Sequence, residues 1–161
     1  MSDHRILFVL GEGGHSAELL RLVPDLADAG TALFLATDAD RMADRWVPAG
    51  AEVVRVRRPR AKDSSTLGAA RDTLVAFAQA AWAVRRLKPT VVVTSGPAIG
   101  FVVSVVGWIS GARIVFVETI SRVTGLSLTG RLMRPFADRY FVQWPGAAAD
   151  APGSRYAGRL M

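Results

Sequence analysis

A chain of 161 residues, 50% hydrophobic and 21% charged, carries enough apolar material for one compact core and too little charge for disorder. With no cysteine and only two histidines it excludes a disulfide framework, a thiolate nucleophile and a zinc ribbon; no metal or cofactor is expected, and a reducing, cytoplasmic address is the default. The net charge of +6 is uneven, since residues 1–72 hold 10 basic and 11 acidic groups whereas 73–161 hold 10 and 3, so the second half calls for an anionic partner.

The first apolar run, 6–10, is too short for a helix or a signal peptide and reads as a buried strand. Directly after it comes Gly11-Glu12-Gly13-Gly14-His15-Ser16, opening a helix that carries Leu19, Leu20 and Leu22. Glycines there let a ligand approach the backbone, and a helix start offers free N–H groups to phosphate. Gly11 and Gly13 match two glycines of the dinucleotide fingerprint, Ser16 replaces the third, and Asp38 falls where a ribose carboxylate would sit. His15, in the first helical turn, is placed to donate to a phosphate or to shuttle a proton.

A second strand is expected over 32–36 and a half-exposed edge strand over 53–57, where Val54 and Val56 alternate with Arg55 and Arg57. The basic cluster Arg55, Arg57, Arg58, Arg60 and Lys62 lacks interleaved aromatics and reads as a solvated edge loop, so no nucleic acid is expected. A long helix follows over 65–87, its apolar recurrence running through Leu67, Ala70, Leu74, Phe77, Ala81 and Val84 and stopping at Lys88-Pro89.

Residues 89–112 contain no charge, as a membrane span would, but Gly96, Pro97 and Gly100 interrupt them. They read instead as a strand (91–93), a turn and a buried helix (99–109). The turn Thr94-Ser95-Gly96-Pro97 places Ser95 and Gly96 at the carboxyl edge of the sheet, where ligands bind. Phe101, Val105 and Trp108 form a second apolar face of the helix, which then meets the core, a partner or a membrane.

Strand 114–117 ends in Glu118, a carboxylate at the strand tip where a general base for an acceptor hydroxyl would stand; Arg122 is its ion-pair partner or a phosphate contact. The stretch 121–134 mixes Leu128, Arg131 and Arg134 with hydroxyls and suits an anionic lipid surface. A last strand is expected over 140–142, and the Ala-, Gly- and Pro-rich stretch 145–158 reads as linker-like. The pattern as a whole is that of an α/β, doubly wound, mostly parallel Rossmann-like sheet in a single domain over 1–161.

Three blocks together resemble a known family: the segment 11–20, the turn 94–100, and above all Val117-Glu118-Thr119-Ile120-Ser121-Arg122 followed by Leu126-Ser127-Leu128-Thr129-Gly130, Ala137-Asp138 and Val142-Gln143-Trp144-Pro145. This is the asparagine-linked-glycosylation subunit fourteen family, with the bacterial accessory subunits of exopolysaccharide glycosyltransferases; a fainter likeness is to the amino-terminal half of the peptidoglycan transferase that makes lipid II. The resemblance implies half of a GT-B glycosyltransferase. That half is the acceptor-side domain, which brings to the membrane a separate donor-binding subunit in a heterodimer that moves sugar from a UDP-sugar to a polyprenyl-diphosphate-linked saccharide.

It further implies that Gly13-Gly14-His15 and Ser95-Gly96-Pro97 face the acceptor diphosphate and that Glu118 faces the acceptor hydroxyl. No anchor-length apolar segment precedes Ile6, so peripheral attachment to the cytoplasmic face is expected, through helix 99–109 and nearby arginines. The partner is expected at the carboxyl edge or beside the terminal segment 144–161, with Trp144 in contact. The competing readings are an NAD-type dinucleotide-binding module built on Gly11, Gly13 and Asp38, and a non-catalytic membrane scaffold.

Overall fold

The computed structural model describes residues 4–11, 13–41, 43–57 and 66–160. Strands β1 (His4–Val9), β2 (Gly30–Thr37), β3 (Val53–Val56), β4 (Val91–Thr94), β5 (Arg113–Val117), β6 (Arg139–Val142) and β7 (Arg155–Tyr156) form one sheet in the order β3-β2-β1-β4-β5-β6-β7. Every pairing is parallel. The connecting helices are α1 (Gly14–Leu20), α2 (Ala43–Trp46), α3 (Thr66–Leu87), α4 (Ala98–Ile109), α5 (Leu128–Met133) and α6 (Pro145–Ala149), with a 3-10 turn at Pro24–Ala29. Strand order reverses between β1 and β4, and doubly wound sheets bind ligands at the carboxyl ends of the strands beside such a switch point.

Side-chain alternation along the strands makes two cores. Leu7, Val9, Leu35, Val92, Ile114 and Phe116 pack with α3 and α4 on one face, whereas Ile6, Phe8, Phe34, Ala36 and Val93 meet Leu19 and Leu20 of α1 on the other. Farther along that second face, Val91, Val93, Val115, Val117 and Phe141 line an open groove of about 690 Å³, rimmed by Leu22, Leu26 and residues 157–160. Edge strand β3 alternates as expected, Val54 and Val56 buried and Arg55 exposed. Arg58, Arg60 and Lys62, Ser65 at the expected helix start, and the side chain of Leu67 lie outside the described residues.

Three expectations are corrected. The buried stripe of α3 runs through Ala76, Ala80, Ala83, Val84 and Leu87, and Leu74 is 71% exposed. Two overlapping stripes share the three-and-four spacing, and the alanine stripe lets α3 approach the sheet and α4 closely. In α4, Ile99, Val102 and Val103 are buried but Ile109 is 73% exposed, because the helix ends there and turns out at Gly111, φ +86°. The stretch 145–158 is no linker: it builds α6 and β7, with Ala147 and Ala151 in the core. No helix among the described residues is long and apolar enough to cross a membrane.

Candidate functional site at the carboxyl edge

Two glycine turns meet above the switch point. After β1 the chain passes through buried Gly11 to Gly13, whose φ of +63° precedes α1; Glu12 lies outside the described residues. A Cβ on Gly11 would stand 2.7 Å from Cβ and Cγ of Pro97, so the first loop and the β4–α4 turn touch only because the side chain is missing. In that turn Ser95 is fully buried and Gly96 has φ +79°. The His15 ring lies against Gly96, where a Cβ would come within 3.0 Å of its Cε1. His15 is half-buried, and its Nδ1 has no hydrogen-bond partner among the described residues. Gly11, Gly13, Gly14, His15, Ser95 and Gly96 are thus brought together.

Ser16 belongs to this cluster in sequence but not in chemistry. Its hydroxyl is buried between Gly11 O at 2.8 Å and Asp40 Oδ2 at 2.5 Å, so it ties the loop to the β2–α2 turn and presents nothing to a phosphate. Asp38, beyond β2, is exposed, and so is Arg122.

Glu118 also departs from the open strand tip expected of it. The residue is fully buried; its Oε2 accepts from the Tyr140 hydroxyl at 2.9 Å and from Ser127 N–H at 3.1 Å, and its Oε1 from Thr119 N–H at 3.2 Å. Burial, then the adjacent Glu118 charge and hydrogen bond, push the Tyr140 phenol far above its ordinary range, with Arg134 opposing weakly. Tyr140 therefore stays a donor. The carboxylate holds the approach to α5, whose N-cap Ser127 accepts from Gly130 N–H at 2.9 Å.

The acid that does reach the crevice loops is Glu18, 7% exposed. Its carboxylate accepts from Gln143 Nε2 at 2.8 Å, Thr119 Oγ1 at 3.1 Å, Ile120 N–H at 3.3 Å and Ser95 Oγ at 3.4 Å. Sequence reasoning passed over it. The available signal is its position, three residues after His15 on the same side of α1 and beside two leucines that turn inward.

Gln143 carries this network onward: its Nε2 also donates to Glu118 O at 3.0 Å, and its Oε1 accepts from Leu160 N–H at 2.7 Å. Trp144, expected at a partner or membrane surface, is half-buried; its Nε1 donates to Ile120 O at 2.7 Å, and the Arg159 guanidinium lies 3.7 Å above its ring. It binds the terminal segment to the β5 loop.

The expected membrane residues separate. Leu128 is 74% exposed, Trp108 51% and Leu132, which the sequence reading did not single out, 47%, with Arg131 and Arg134 exposed beside them. Phe101 and Val105 are half-buried. Phe136 joins α4 to this patch, its ring 5.4 Å from Trp108 and 6.0 Å from Phe101.

Residues 6–160 match the family described as "Oligosaccharide biosynthesis protein Alg14 like". Among individual proteins, the chain is 34% identical to the UDP-N-acetylglucosamine transferase subunit ALG14 of Eremothecium gossypii, over 97% of this chain and 80% of that one. It is 31% identical to the same subunit of Mus musculus, over 98% and 83%. Among solved structures, Acinetobacter baumannii MurG superposes with a TM-score of 0.74 at 14% identity, covering 98% of this chain and 44% of that one. A UDP-GlcNAc 2-epimerase from Neisseria meningitidis, bound to UDP-GlcNAc, gives 0.72 at 13% identity, with 96% and 46% covered. The chain spans less than half the length of these two solved structures, and the likeness to them establishes the fold, one that GT-B glycosyltransferases and epimerases share.

Proposed function

Because this chain belongs to the family of Alg14-like oligosaccharide biosynthesis proteins, we propose that it is the acceptor-binding, membrane-recruiting subunit of a two-part glycosyltransferase. The complex passes a sugar from a UDP-sugar to a polyprenyl-diphosphate-linked saccharide at the cytoplasmic face of a membrane. The observation that carries this reading is the meeting of two glycine turns and His15 at the switch point. There Gly13 and Gly14 leave the backbone open to an acceptor diphosphate.

In the reaction the acceptor hydroxyl oxygen bonds to the anomeric carbon, the bond from that carbon to the diphosphate breaks, and UDP leaves with the electron pair. The hydroxyl proton goes to His15, the half-buried imidazole that packs on Gly96 beside the glycine turns. Glu118 acts from the interior as a positioning residue for the β5–α5 loop, since its oxygens face Tyr140, Ser127 and Thr119.

The donor-binding partner docks over the open groove on β4, β5 and β6, next to residues 157–160. That the relatives are named as transferase subunits and the solved fold relatives are more than twice as long calls for a partner, and the apolar lining of the groove favours that seat. The patch of Leu128, Leu132 and Trp108 with Arg131 and Arg134 meets the anionic lipid surface.

The test is transfer from UDP-sugar to a lipid-diphosphate acceptor by the chain assembled with its donor-binding partner, before and after His15→Gln. Turnover lost with assembly intact supports the reading. Full turnover by the variant leaves only a scaffold.

A further inference from the structure

Four donors from three separate loops converge on one carboxylate, that of Glu18, to which the sequence analysis gave no role. Glu18 projects from α1 across the carboxyl edge of the sheet and receives Ser95 Oγ from the loop after β4, Thr119 Oγ1 and Ile120 N–H from the loop after β5, and Gln143 Nε2 from the end of β6. A carboxylate is acceptor-only and offers about four lone-pair sites, so it can serve all of them at once. The neutral amide of equal size would turn its own N–H₂ toward at least one donor. The requirement is therefore for two acceptor oxygens at this point and not merely for volume.

We propose that Glu18 is the positioning residue of the acceptor site: it fixes the separation between the His15 helix and the loops after β4, β5 and β6, and so holds the diphosphate-facing turns in one geometry. His15 and Glu18, three apart on α1, lie on one side of the helix. The first packs on Gly96 and the second holds Ser95, so the first turns of α1 and the β4–α4 turn are joined at two adjacent points. At 7% exposure and with both oxygens engaged, Glu18 does not touch the reacting atoms. It acts through the loops.

Gln143 extends the reach of this residue. Its amide gives one proton direction to Glu18 while its oxygen accepts from Leu160 N–H, on the rim of the open groove. A partner seated in that groove and the loops of the acceptor site thus meet through a single side chain.

The assignment rests on the transferase reading, and one pair of measurements separates the two. Glu18→Gln is made in the full chain. Amide exchange is followed at Ser95 and Gly96 and over 119–121, and steady-state kinetics are followed in the complex with the donor-binding partner. We expect exchange in those two segments to quicken while β1, β4 and α3 keep their protection. The acceptor kcat/KM should fall roughly 10- to 100-fold, the scale of a misplacement near 1 Å, with the KM for UDP-sugar and complex assembly unchanged.

Unchanged exchange at 119–121, or a fall in active protein with both KM values and kcat per active site unchanged, would overturn the proposal. A wild-type complex that moves no sugar defeats the transferase reading instead, and the exchange measurement, which needs no substrate, still decides for or against Glu18. Should Glu18→Gln not fold, Thr119→Val deletes one donor, leaves the other three, and is expected to give the same pattern at smaller amplitude.

Discussion

The Tyr140 hydroxyl donates to Glu118 Oε2 across 2.9 Å, a buried bond that joins the residue after β5 to the adjacent strand β6 beneath α5. Tyr140→Phe leaves that oxygen with Ser127 N–H alone and should cost about 1–3 kcal/mol of stability, the usual range for a buried polar group losing its partner.

The same pair sets a pH dependence. Below about pH 10, the ordinary tyrosine value, the phenol is protonated in the folded and unfolded chains alike, and its full contribution is present. Above that value the unfolded chain releases the proton while the folded one, with Tyr140 pushed far upward by burial and by Glu118, retains it. Stability from this residue then declines by about 1.4 kcal/mol per pH unit. Urea unfolding between pH 8 and pH 11 should show the advantage of wild type over Tyr140→Phe shrinking above pH 10; a constant difference would refute the linkage.

Gly130 caps this site from above. A Cβ there would collide with Glu118 Oε2 and stand 2.5 Å from the Tyr140 hydroxyl and 3.0 Å from Ser127 Oγ. Neither the carboxylate nor the phenol can move without breaking their bond, so Gly130→Ala should cost about 1–3 kcal/mol, as overpacking does. Thermal unfolding of the variant beside Gly146→Ala, whose Cβ meets only Val123 O at 3.7 Å, gives the comparison.

How far the sequence could be read follows from what each signal depends on. The strands at 6–10, 32–36, 91–93, 114–117 and 140–142 lie within β1, β2, β4, β5 and β6 or one residue beyond, because these parallel strands are apolar on both faces and need no phase. The buried face of α3 was not legible. Alanines satisfy a helical stripe without standing out, and only the sheet and α4 decide which stripe turns inward. The short β7 lacks any apolar run, and it exists because β6 offers an edge and α6 delivers the chain to it. At the site, glycine positions were legible because backbone conformation demands them. The direction in which Glu118 points was not, since two successive residues at a strand end project to opposite faces, and a helix residue far along the chain, Gly130 of α5, makes room on one of them.

Attachment to lipid should follow the exposed residues and not the half-buried ones. The chain is expected to pellet with anionic vesicles and to be released by 1 M salt, where the screening length is about 3 Å. Leu128→Ser with Leu132→Ser should weaken pelleting without loss of thermal stability, because both side chains face outward. Phe101→Ser should instead destabilise the fold through its contact with Phe136. Vesicle binding unaffected by the two leucine changes would place the lipid contact elsewhere.

The isolated chain should transfer no sugar. Holding donor and acceptor in one geometry contributes roughly 7–11 kcal/mol of barrier lowering, and under the proposed function this chain binds the acceptor while its partner binds the donor. Which segment summons the other wall can be tested by truncation, and the place of the cut matters. Ending the chain after Pro145 removes β7 and the core residues Ala147 and Ala151, together with the Asp150 carboxylate that accepts from Gly125 N–H at 2.8 Å. Loss of binding there would report only a damaged fold. Ending it after Tyr156 removes no strand; it takes away the groove rim, the Leu160 bond to Gln143 and the Arg159 contact with Trp144. That shorter truncation should keep cooperative unfolding and lose assembly with the donor-binding partner. Transfer from UDP-sugar to a lipid-diphosphate acceptor is then measured for the full chain alone, the full chain with partner, and the truncated chain with partner, with turnover expected only in the second; steady turnover by the full chain alone would show that it carries a donor site of its own.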